Sequence, residues 1–232
     1  MEATIRFASG RPGVSFAVRL PLVKEKNTEI REKGFGKVGD FVLYRLIAEP
    51  SAWVWLKARY DHRIENAGLL SRYRSTGYYL YGNRTGTSAD AMVPSMLTFP
   101  KKAFVLADAA ELRGKAIGKA APSLGAVVLP EESKSVGAFL RTVREHASVG
   151  DALVIYPETS VGAGRLAPFA EGAFQYPVRG NAPSFCFTTV LRGGKLVTYL
   201  DGPFYPKEGL SVPEQRAELL SRVKNAMEKR LG

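Results

Sequence analysis

Between residues 77 and 200 the chain alternates short β-rich apolar runs with longer stretches of helical character, and this alternation constrains the fold more than any other feature. The runs at 77–81, 103–106, 125–129, 152–156, 184–190 and 195–200 are four to seven residues long, rich in β-branched and aromatic side chains, and bounded by Gly, Pro or charged residues, so they read as strands. Helical stretches fall between them at 90–97, 109–121, 133–147 and 172–176. Strands that recur after a helix must return across the sheet, which makes neighbouring strands parallel. The expected class is α/β, with a mostly parallel central sheet flanked by helices.

The flanks are read differently. Residues 1–39 are rich in Gly, Lys and Arg with scattered β-type residues around Val14 to Leu20, and form a strand or irregular lead-in. From 40 to 60 the chain is apolar and helical in pattern. It carries Trp53 and Trp55, with a break expected at Pro50 and Ser51 as the cap of a second helix. At the other end, 212–231 places Leu219, Leu220, Val223 and Met227 near one helical face, with Ser211 as cap and Pro213 tolerated in the first turn. The length of 232 residues suits one core, so 1–232 is read as one domain with its α/β core at 77–200.

Composition narrows the function classes. With 45% hydrophobic and 24% charged residues the chain is not generally disordered. The formal charge of +11 directs its surface towards polyanions. Those basic residues are dispersed, and no RNP1-like, zinc-finger or helix-turn-helix pattern accompanies them, so nucleic acid is an unlikely partner. Cys186 is the single cysteine and can form neither an internal disulfide nor a thiolate zinc site, which fits a reducing, cytoplasmic compartment. No charge-free run reaches the ~18 residues needed to span a bilayer, and the amino terminus lacks the apolar stretch of a secretory signal.

Two segments carry the candidate chemistry. The first is Tyr81-Gly82-Asn83-Arg84-Thr85-Gly86-Thr87-Ser88-Ala89-Asp90. The second is Val154-Ile155-Tyr156-Pro157-Glu158-Thr159-Ser160-Val161, followed by Gly164-Arg165-Leu166-Ala167-Pro168-Phe169 and Gly172-Ala173-Phe174. Each is an apolar run that breaks into a polar turn at a strand's carboxyl end, where ligand sites collect in open α/β sheets. Structurally, the first reads as a strand, a turn and a helix capped by Asp90.

Taken together, the segments resemble the motifs of the 1-acylglycerol-3-phosphate (glycerolipid) acyltransferase family, in its bacterial branch. Weaker resemblances lie at Ser123 to Pro130 and at Tyr176-Pro177-Val178 with Asn181-Ala182-Pro183. In that family a histidine paired with an aspartate takes the proton from the acceptor hydroxyl as it attacks an acyl thioester. The resemblance makes Asp90 the aspartate. The histidine position falls at Arg84 or, in the other frame, at Thr85, and neither residue is a base, because an arginine stays protonated.

By the same resemblance, Asn83, Thr85, Glu158, Thr159, Ser160 and Arg165 hold the acceptor. Val161 replaces an arginine expected to contact phosphate, a loss that Arg165 or Arg84 would offset. The implied reaction passes an acyl group from acyl-CoA or acyl carrier protein to lysophosphatidate or a related lysolipid. It needs no metal or prosthetic group, and it takes place at an anionic membrane surface on the inner, cytoplasmic face. The two histidines, His62 and His146, stand beside charged residues that point to exposure.

Overall fold

A computed structural model of the protein describes residues 2–8, 15–21, 49–107, 125–130, 136–161 and 164–232. Strands β1 (Glu2–Ala8) and β2 (Ser15–Pro21) pair as an antiparallel ladder, with Glu2 opposite Pro21 and Ala8 opposite Ser15. The main sheet holds β3 (Arg63–Glu65), β4 (Tyr78–Gly82), β5 (Ala103–Ala107), β6 (Ala126–Val128), β7 (Ala152–Ile155), β8 (Ser184–Arg192) and β9 (Lys195–Phe204). Their order across the sheet is β3-β9-β8-β4-β7-β5-β6. Every pairing is parallel except that of β8 with β9. Gly193 and Gly194 join those two strands, both at positive φ (57° and 79°), as a two-residue hairpin requires. The α/β architecture expected from the alternation is the one observed.

Helices cover both faces: α1 (Glu49–Tyr60), α2 (Ala89–Thr98), α3 (Val136–Ser148), α4 (Gln175–Gly180) and α5 (Val212–Leu231). Because side chains alternate along a strand, β4 sends Tyr78 and Leu80 into one core and Tyr79 and Tyr81 into the other. The first core is closed by Leu56 of α1 and by Val93 and Leu97 of α2. Opposite it, Phe139 and Val143 of α3, Val178 of α4 and Leu219, Val223 and Met227 of α5 close the second. Burial on both sides explains why β4 and β7 read as continuous apolar runs. Helix α5 begins as its sequence suggests: the Ser211 N–H and hydroxyl both donate to the Glu214 carboxylate, at 2.8 and 2.5 Å, with Pro213 in the first turn.

Several local expectations are corrected. Helix α1 begins at Glu49 with Pro50 in its first turn, so Ser51 lies inside the helix and is not its cap; whether another helix precedes the proline lies outside the described residues. A proline is tolerated there because first-turn N–H groups have no intrahelical acceptor. The stretch expected to be helical at 172–176 is a 3₁₀ turn (Glu171–Phe174) that passes into α4 and ends at Asn181 in a left-handed conformation. Strand β3 and the 3₁₀ segment Ala67–Tyr73 lie where no element was expected. The helix expected at 109–121, and residues 40–48 of the apolar segment, fall outside the described residues.

Helix α3 ends hard against the start of β4. A β-carbon built on Gly77 lies 2.1 Å from the Ala147 carbonyl oxygen, a backbone atom that cannot swing aside. Gly77→Ala is expected to cost about 1–3 kcal/mol, with strand and helix forced apart. Urea denaturation checks this, and an unchanged midpoint would mean the contact relaxes freely.

Candidate functional site

The site is built where β4 and β7 end side by side. Their register pairs Tyr78 with Ala152 and Tyr81 with Ile155. Carried three residues past the Tyr81–Ile155 pair, it brings position 84 level with position 158. Two features hold the end of β4 in place. Gly82 lies under the Phe187 ring, whose tip would be 2.2 Å from a β-carbon there, so only glycine fits. Next to it the buried Asn83 amide brackets the Thr189 backbone of β8, accepting its N–H at 2.6 Å and donating to its carbonyl at 2.9 Å. The Asn83 side chain, expected among the acceptor-binding groups, is a clamp between strands.

Beyond this clamp the Arg84-Thr85-Gly86 turn is wrapped around two carboxylates. Glu158 accepts the Arg84 N–H at 2.6 Å with one oxygen and the Ala167 N–H at 2.8 Å with the other. Asp90 accepts from the Thr85 N–H at 3.0 and 3.1 Å, the Gly86 N–H at 3.0 Å and the Thr85 hydroxyl at 2.6 Å. Asp90 therefore is not a cap: α2 begins at Ala89, and the carboxylate of its second residue folds back over the preceding turn. Burial raises the pKa of both carboxyls, and the hydrogen bonds they accept and the Arg84 charge pull in the opposite direction.

The two positions at which the motif would carry its base are thus used differently. Thr85 presents its hydroxyl to Asp90. Arg84 gives its backbone to Glu158, while its guanidinium lies over the Tyr156 ring, 5.6 Å from the centroid. Tyr156 closes the arrangement by donating its hydroxyl to the Asp90 backbone carbonyl. Arg84, Asp90, Glu158 and Tyr156 are therefore one cluster, drawn from β4, α2 and the end of β7. Tyr156 and Thr189 were not singled out as site residues in the sequence. Tyr156 could have been found, because it ends the second apolar run, whereas Thr189 has no local signal.

Downstream of Glu158 the chain doubles back on itself. The Thr159 N–H and hydroxyl both donate to the Pro168 carbonyl, at 3.0 and 3.1 Å, and the Ala170 N–H donates to Pro157 at 2.8 Å. Thr159 therefore staples the base of this loop, whereas Ser160 and Arg165 are exposed on it. Val161, at the position expected to hold an arginine, leans towards the first turn. Its methyl lies 3.0 Å from where a Gly86 β-carbon would stand, and Gly86 has φ +71°.

Neither histidine is at this cluster. Contrary to expectation, His62 is buried (6% exposed), with Nε2 2.9 Å from the Thr198 hydroxyl of β9 and Nδ1 without a hydrogen-bond partner. Burial, with a smaller contribution from Lys57, pushes its pKa down to about 4. His146 is half-buried at the far end of the sheet, its Nδ1 2.8 Å from Asp151, the residue that precedes β7. On helix α1, Ala52 and Leu56 are buried, Trp55 is half-buried against Tyr60, and Trp53 and Val54 both stand exposed. No helix among the described residues is long and apolar enough to cross a membrane.

No family model matches the chain, and no curated protein sequence does. Among solved structures, the chain is similar to the crystal structure of the 1-acyl-sn-glycerophosphate (LPA) acyltransferase PlsC from Thermotoga maritima. The TM-score is 0.60 and the identity 19%, covering 85% of this chain and 83% of that one. At that identity the likeness is one of fold.

Proposed function

We propose that this protein is glycerolipid-acyltransferase-like, passing an acyl group from acyl-CoA or acyl carrier protein to lysophosphatidate or a related lysolipid. The observation that carries this reading is the junction of the two motif segments: Asp90 and Glu158, distant in sequence, hold one turn from both sides at the ligand end of an acyltransferase fold. No metal or prosthetic group enters the reaction. The exposed Trp53, with Lys57 and Arg59 on the same helix, supports attachment to an anionic membrane surface.

A second reading, a catalytically impaired relative that binds lysolipid or acyl donor without turnover, is favoured by one observation: a permanent cation, Arg84, occupies the motif position of a proton acceptor. Acyl transfer from oleoyl-CoA and acyl carrier protein to a panel of lysolipids separates the two readings, run beside Arg84→His and Asp90→Ala. Turnover that disappears in Asp90→Ala identifies a working acyltransferase. Silence in the natural protein with turnover in Arg84→His identifies a disabled scaffold, and silence in both removes the acyltransferase reading.

A further inference from the structure

A row of buried polar side chains crosses the sheet and ends beside the turn that carries Arg84. His62 Nε2 lies 2.9 Å from the Thr198 hydroxyl of β9, and that hydroxyl lies 3.0 Å from the Thr189 hydroxyl of β8. Thr189 is the residue of β8 whose backbone the Asn83 amide brackets with two hydrogen bonds. Thr189 and Thr198 stand directly opposite each other in the β8–β9 ladder. Carried two residues past the Gly82–Phe187 pair, the β4–β8 register sets position 84 level with Thr189. His62, Thr198, Thr189 and Asn83 are all buried.

Packing alone does not call for these residue types. Thr189 follows Phe185 and Phe187 on its face of β8, and Thr198 stands between Leu196 and Leu200 on β9, so both hydroxyls lie on the face of the first, apolar core. A valine fills nearly the same space, whereas a buried hydroxyl is costly unless it is bonded.

We infer that His62, Thr198 and Thr189 are positioning residues for the site: acting through the Asn83 clamp, they fix where the Arg84–Asp90 turn leaves the sheet, so that a change at His62 is felt three strands away. His62 immediately precedes β3, and β9 and β8 stand between β3 and β4. This placing of the turn does not depend on which reaction is assigned to the site.

The row has a direction, because each hydroxyl supplies one hydrogen. With Nε2 bare, Thr198 donates to the ring and Thr189 donates to Thr198. A ring charged on both nitrogens must itself donate to Thr198, which then turns its hydrogen towards Thr189 and reverses the row. Its Nδ1 meanwhile has no acceptor. The charged groups about the ring are Lys57 of α1, Asp61, Arg63 of β3 and Lys195 of β9, with Asp61 held by the other three at 2.7, 3.5 and 3.8 Å. Burial, and to a smaller extent Lys57, keep the ring neutral until the pH falls to about 4, so acid is the means of reversing the row.

The test follows the Asn83 side-chain amide and the Thr189 N–H by NMR in the natural protein, Thr198→Val and Thr198→Ser. Leu196→Val, which trims the same core two residues away on β9 without touching the row, serves as the control. At pH 7, Thr198→Val should shift both signals and speed exchange of the Thr189 N–H about 2–10-fold beyond any change at Leu80 of β4, the scale of one lost hydrogen bond. Thr198→Ser, which restores a hydroxyl, should bring both back towards the natural positions, and Leu196→Val should leave them in place. From pH 7 to 4 the Asn83 signals should move in the natural protein and stay still in Thr198→Val. The Arg84 and Gly86 N–H groups, bonded to Glu158 and Asp90, should titrate in both and serve as an internal reference. Signals indifferent to Thr198→Val, equal effects of Thr198→Val and Leu196→Val, or the same acid movement with and without the Thr198 hydroxyl would each overturn the positioning role. If Thr198→Val does not fold, His62→Gln replaces it: the acid movement at Asn83 should vanish in that variant, and its persistence overturns the role equally.

Discussion

Glu158→Ala is expected to lose about 2–5 kcal/mol of stability and to dismantle the candidate site. The side chain is 4% exposed, and each carboxylate oxygen receives one backbone N–H, from Arg84 and from Ala167. Alanine leaves the buried Ala167 N–H and the part-buried Arg84 N–H without an acceptor, and a loss of this kind costs about 1–3 kcal/mol for a buried donor. Glu158→Gln keeps one carbonyl oxygen and should recover part of the loss. Urea denaturation measures both variants, and the backbone amide resonances of Arg84 and Ala167 report the cradle directly. A midpoint within error of the natural protein would mean the loop is held by Thr159 and Ala170 alone.

Acid should weaken the fold by about 3 kcal/mol between pH 6.5 and 4, through His62. Its pKa is about 4 in the folded protein and 6.5 for an ordinary histidine. As the pH falls, the unfolded chain takes the proton first, so stability is complete above 6.5, declines across the window and levels off below 4. The physical cause is the burial of a ring whose Nδ1 has no partner to share an added proton. His62→Gln, which retains a polar group opposite Thr198, should flatten the profile in this window. Urea midpoints measured from pH 7 to 4 on both proteins decide it, and parallel profiles would assign the acid sensitivity to other groups.

These two residues mark the limit of what was legible in the chain. Glu158 and Asp90 are singled out by the resemblance of the two motif segments, each of which follows an apolar run that declares itself a buried strand. The charged Asp61 and Arg63 on either side give His62 the local pattern of an exposed residue. What buries it is β3, a three-residue strand that pairs with β9 more than 130 residues later. No local pattern announces such a pairing. Asn83 is a similar case: its residue type suits a ligand contact, yet its amide is spent on Thr189 of a strand formed much further along the chain.

By itself the sequence determined the α/β class, because unbroken apolar runs demand burial on both faces and only helices packed above and below the sheet supply it. It also determined which residue types stand at the two strand ends. Only the tertiary structure decided how they meet. The sheet order puts β7 beside β4 although β5 and β6 intervene in the chain, and the parallel register then sets Arg84 against Glu158. That register depends on which strands become neighbours. This is a property of the whole packed sheet, and no segment contains it.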